Sequence, residues 1–130
     1  MKIAIIIVRT LIGLLFLFAS VTYFLNVFPP PEFEGKFKTF NDGLAAAVYL
    51  MPLVKVIELL CGLAFVTGRF VPLALVLIAP VAINILLVHV FLFPANLPVA
   101  VLLIAGLLFL AYAHREHYKS LLSAKPLDYK

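Results

Sequence analysis

"FVPLALVLIAPVAINILLVHVFLF", residues 70–93, contains no Asp, Glu, Lys or Arg. A helix needs about 20 mostly apolar residues to cross roughly 30 Å of hydrocarbon, and this run meets that length. The charge-free stretch continues to His114. Others lie between Thr10 and Pro31 and between Gly43 and Val54. Of the 130 residues, 65% are hydrophobic and only 12% charged, and mean hydropathy is +1.20. A soluble domain of this size needs more charge to cover its surface. The composition therefore describes an integral membrane protein.

Working outward, the breakers divide the chain into four helical spans at about residues 3–26, 44–67, 70–93 and 99–114. "PPPEFEGKFKTFND" begins at Pro29 and forms the main part of an outer loop over residues 27–43. Gly68 and Arg69 make a short turn, and Pro94, Asn96 and Pro98 mark another. Pro52 and Pro80 are expected to interrupt the second and third spans, each freeing the carbonyl four residues before it. The basic tail, residues 115–130, is expected to continue as an interfacial helix to about Ser123. In lipid every backbone donor must be paired within the chain, so helices are required. Short turns make the fold all-α: one integral membrane domain, a four-transmembrane-helix bundle running up-down-up-down.

The N-terminus has features of a secretion signal: Lys2, the apolar "LIGLLFLFAS" and small residues at its end. The apolar run begins before Arg9 and continues through "VTYFLNVF" beyond that point, so an uncleaved first span is expected. With four spans, Lys2, Arg9, Arg69, Arg115 and Lys119 share one side. The positive-inside tendency then puts both termini in the cytoplasm of a prokaryotic cell, with the protein multi-pass in its inner membrane. The net charge of +4 is read as this topology signal and not as a nucleic-acid surface. The single cysteine, Cys61, excludes an internal disulfide.

The polar exceptions are the candidates for function. Lys55 and Glu58, at i,i+3, can pair on one helix face. Counted from Gly68, Glu58 is roughly 15 Å deep and Lys55 roughly 20 Å. A lone charge at that depth costs at least ~2.5 kcal/mol. Asn84, roughly 21 Å from the same turn, is level with Lys55, and His89, roughly 28 Å away, is level with Tyr49 and Leu50. Arg9, Thr22, Tyr23 and Asn26 come from the first span. Convergence of Lys55, Glu58, Asn84, His89, Arg9 and Tyr23 would form a ligand-binding or proton-relay pocket; plain packing, interhelical bonding or headgroup contact is the alternative for each. "HREH", with His114 and His117, reads as a juxtamembrane turn, and no resident metal is expected. The sequence has no Walker loop, dinucleotide fingerprint, CxxC or CxxCH. Only His89 lies at a depth suited to a haem ligand, whereas a haem held between helices uses two.

Three stretches together resemble the DoxX family of small four-span prokaryotic membrane proteins: "RTLIGLLFLFASVTYFLN" (residues 9–26), "KVIELLCGLAFVTGRFVPLALVLIAPVAINILLVH" (55–89) and "PVAVLLIAGLLFLAYAHREHYKSLL" (98–122). The most specific part is "VIELLCGLAFVTGRFVPLAL" (56–75). The resemblance carries over Arg9, Glu58, Gly62, Arg69, Asn84 and His89 by position. The family takes its name from a subunit of an archaeal thiosulfate:quinone oxidoreductase, and relatives are linked to membrane redox complexes and oxidative-stress defence. The resemblance implies an accessory role beside a soluble or membrane redox partner, with quinone as a bound substrate. The expected function is thus a membrane subunit binding a lipophilic ligand. Alternatives are a lipid or small-solute transporter, a lipid-modifying enzyme, and a structural or assembly protein with a buried ion pair. A homo-oligomer is compatible with each.

Overall fold

The computed structural model describes residues 1–28 and 32–125. Pro29, Pro30 and Pro31 of the outer loop, and Lys130 with the rest of the tail beyond Lys125, lie outside the described residues. The helices are α1 (Lys2–Leu25), α2 (Gly35–Ala46), α3 (Leu50–Thr67), α4 (Val71–Phe91) and α5 (Leu97–Ala113). Four segments are long and apolar enough to cross a membrane: Lys2–Leu25, Leu50–Thr67, Val71–Phe91 and Pro94–Ala113. The last includes a 3-10 turn, Pro94–Asn96, that leads into α5.

α1 packs on α3 and α5, and α4 packs on the same two helices, closing a four-helix ring. Its core includes Ile12 and Phe16 of α1, Phe65 of α3, Ile78 of α4 and Leu110 of α5. The outward faces are apolar too: Leu11 is 62% exposed, Leu102 72% and Phe91 74%. Such surface is stable against lipid and not against water. Lys2, the α3–α4 turn and the end of α5 meet at one end of the bundle, here the terminal end. α2 and the α4–α5 turn occupy the opposite, loop end.

The tightest seam joins α1 to α3. A Cβ at Gly13 would stand 2.7 Å from Val66 Cγ2 and 2.9 Å from the Val66 backbone nitrogen. A Cβ at Gly62 would meet the Gly13 carbonyl at 3.1 Å. The two glycines let the backbones touch, the usual role of small residues between membrane helices.

Three expectations need correction. The second span begins at Leu50, not near residue 44, because Pro52 falls in the first turn of α3. Proline is tolerated there, but its ring would clash with the carbonyl of residue 48 in a continuous helix. The chain breaks at that point, with Val48 at φ 21°. Pro52 therefore starts a span instead of kinking one, whereas Pro80 does lie inside α4. Second, residues 35–46, which take in the later part of the expected outer loop and the expected start of the second span, form a separate helix. Phe33, Phe37, Phe40 and Leu44, spaced four, three and four, are the half-buried face, as in an amphipathic interfacial helix. Phe37 stacks on Phe93 with ring centroids 4.7 Å apart, holding α2 to the end of α4.

Third, the tail does not continue as an α-helix to Ser123. It makes one 3-10 turn, Arg115–Tyr118, followed by turns. The Tyr118 hydroxyl donates to the Pro72 carbonyl at 2.8 Å, which folds the chain back onto the start of α4. Burial pushes the Tyr118 phenol above its ordinary value of 10.0. The neutral form is thus favoured in the folded state, so its contribution is complete below about pH 10 and declines as pH rises through the folded value. Tyr118→Phe should lose about 1 kcal/mol and flatten the alkaline fall in stability. Thermal melts of both proteins from pH 8 to 11 check this.

Candidate functional site

Lys55 and Glu58 form an ion pair, with Nζ 3.0 Å from Glu58 Oε2 and side chains only 15% and 6% exposed. Sequence spacing brings them onto adjacent turns of α3, and the apolar surroundings drive them together. Despite that distance, Oε2 is buried and makes no aligned hydrogen bond. Attraction is satisfied while acceptor capacity is not. Such an oxygen is a natural target for a donor arriving from a ligand or water.

Lys55 also faces the Tyr23 ring, with Nζ 5.8 Å from its centroid, within reach of a cation–π attraction. The antiparallel register set by Gly13 on Gly62 and by Tyr23 on Lys55 puts Ser20 at the height of Glu58. Ser20 is fully buried, and its hydroxyl donates to its own helix at the Phe16 carbonyl, 2.8 Å away. Sequence reasoning missed Ser20. Its spacing of three from Tyr23 was the available signal, since that spacing keeps both on one face.

Tyr23 is the link to a cleft of about 1190 Å³ at the loop end. α1 contributes Thr22 and Tyr23, followed by its cap Asn26; α2 contributes Lys38, Asn41 and Asp42; α3 contributes Met51. Glu32 and Glu34, both exposed, also line it. Lys38 and Asp42 pair at 3.0 Å, and Asn41 Nδ2 donates to the Phe37 carbonyl at 2.8 Å. Thr22 similarly returns its hydroxyl to the Phe18 carbonyl at 2.6 Å. Exposed carboxylates, mixed walls and a charged pair beyond Tyr23 suit a ligand with a polar head and an apolar body.

Of the six residues singled out from sequence, the structure brings together Lys55, Glu58 and Tyr23. The other three stand apart. Asn84 is exposed, because the buried face of α4 runs through Ile78 and Ala82 and two further residues turn the helix by about 200°. His89 is half-buried at the loop end, outside the cleft lining. Its Nδ1 lies 2.7 Å from the Ile85 carbonyl, and a carbonyl can only accept, so Nδ1 carries the proton and donates. Its ring lies 6.4 Å from Phe93, beside the aromatic stack holding α2. Arg9 is at the terminal end, its guanidinium against Gly68. Cys61 is buried and its thiol donates to the Ala74 carbonyl at 3.5 Å, a packing contact between α3 and α4.

Among the described residues, no group of three His, Cys, Asp or Glu side chains converges in a way that could hold a metal ion. The rings of His114 and His117 lie 6.1 Å apart on the tail turn.

No curated protein and no solved structure is significantly similar to the chain. The family model DoxX matches residues 4–93, which take in nearly all of α1, all of α2 to α4, the Lys55–Glu58 pair and the lining of the loop-end cleft. With four apolar helices long enough to span and that match over more than half its length, the chain is a multi-pass membrane protein and belongs to the DoxX family.

Proposed function

We propose that the protein is a membrane subunit that binds a quinone in the loop-end cleft, as an accessory to a redox complex. The supporting observation is the buried Glu58 oxygen without a hydrogen bond, joined through Lys55 to the cleft wall at Tyr23. The quinone head would lie against Tyr23 and Met51, with its isoprenoid tail toward the lipid. Lys55 would donate to a carbonyl oxygen, and Glu58 would hold the cation and pass protons. Reduction of a quinone to a quinol takes two electrons and two protons. The pair serves the protons; a partner redox protein would supply the electrons. By the positive-inside tendency, the basic terminal end faces the cytoplasm of a prokaryotic inner membrane and the cleft opens to the other side.

A photoreactive quinone analogue in proteoliposomes tests this reading. Labelling should concentrate on Tyr23 and Met51, be blocked by excess unlabelled quinone, and fall about tenfold in Tyr23→Ala. Labelling spread over lipid-facing residues such as Leu102, and indifferent to competitor, would refute it. The 3.0 Å ion contact favours one second reading, in which the pair only fixes α3 within the bundle. Lys55→Met/Glu58→Leu distinguishes the two, since apolar replacement of a buried pair is often neutral for stability but removes the donor and the relay.

A further inference from the structure

Among the described residues, Arg9 is the least explained charge. It lies about 10 Å along α1 from Lys2, and its Nε is buried without a hydrogen-bond partner. Its guanidinium does not spread over the lipid-facing surface. It turns into the seam against Gly68, where a Cβ would overlap Nη1. Gly68 has φ +77°, so the turn geometry and the space for the guanidinium both require glycine. Beside it is a cleft of about 300 Å³, lined by Lys2, Ile5, Ile6, Arg9, Gly68, Val71 and His114.

No carboxylate balances this end among the described residues. Arg9, Lys2, Arg69 and Arg115 are in none of the ion pairs there, and Glu116, the acid of that region, is held by Lys119 at 2.8 Å. A half-buried guanidinium and an exposed lysine lining one cleft attract an anion. The guanidinium fork matches the oxygens of a phosphate. Ile5 and Ile6 give the rest of the lining an apolar surface.

We propose that this terminal-end cleft binds a phosphate group, with Arg9 as the principal contact, Lys2 as the second cation and Gly68 as the space that lets Arg9 reach it. The group is either the headgroup phosphate of an anionic phospholipid or that of a soluble phosphate compound. The site is separate from the loop-end cleft and stands whether or not a quinone binds there.

Native mass spectrometry in mild detergent tests it with phosphatidylglycerol, phosphatidylcholine and inorganic phosphate as probes. One phosphatidylglycerol should stay bound per chain, in preference to phosphatidylcholine. Arg9→Gln should weaken retention about tenfold or more and Lys2→Gln about fivefold, while Lys36→Gln, at the loop end, should leave it unchanged. Displacement of the lipid by inorganic phosphate would identify a soluble phosphate as the source; retention against it would identify the headgroup. Should Arg9→Gln fail to fold, exposed Lys2 decides. Wild-type retention in Lys2→Gln and in any folded Arg9→Gln, or equal binding of both lipids, would overturn the proposal.

Discussion

Glu58→Ala is expected to destabilise the protein by about 3–5 kcal/mol, because it leaves the Lys55 ammonium buried without its counter-ion. The side chains of the pair are only 15% and 6% exposed, so water replaces the lost carboxylate poorly. Tyr23 offers the cation only a ring face at 5.8 Å, worth about 0.5–2 kcal/mol. Lys55→Met/Glu58→Leu should recover most of the loss, since it removes both charges and retains volume. Reversible unfolding in mixed micelles gives both values. A single-variant loss under about 1 kcal/mol would mean that Lys55 finds another partner or water.

Gly13→Leu should have a comparable effect through geometry alone. Its Cβ would meet the Val66 backbone nitrogen at 2.9 Å and the Gly62 carbonyl at 3.0 Å. Backbone atoms cannot rotate away as side chains do, so α1 and α3 must separate. Overpacking of this kind costs about 1–3 kcal/mol, and the added branches should put the total at the upper end. Separation would also draw Tyr23 off Lys55 and open the loop-end cleft. The check is the melting temperature of Gly13→Leu against Gly43→Ala, where an added Cβ meets nothing. Gly43→Ala should be neutral or stabilising by about 0.5–1 kcal/mol, because alanine is the better helix former.

The four spans were legible because a hydrocarbon slab imposes a length that uninterrupted apolar runs display directly. The Lys55–Glu58 pair was legible for a similar reason: i,i+3 spacing and lipid leave two charges few alternatives. The start of α3 was misread because Pro52 suits a first turn as well as a kink, and only its distance from the break tells which. α2 was overlooked because Gly35 and the prolines before it suggested loop, although the Phe33–Phe37–Phe40–Leu44 spacing was present. Rotation about the helix axis was the least legible feature. α4 is apolar all round, so nothing in its periodicity showed that Asn84 turns away from Ala82. Arg9 was placed at the correct end, but its partner is a glycine in a turn far along the chain, and no local pattern announces that contact.

The most direct test of the proposed function is native mass spectrometry of the protein extracted in mild detergent, with organic extraction to identify what is bound. The account predicts a stoichiometric quinone on the wild-type chain, lost in Glu58→Gln and in folded Lys55→Met/Glu58→Leu. A wild-type protein that is folded, monodisperse and free of quinone, even after incubation with it, would contradict it.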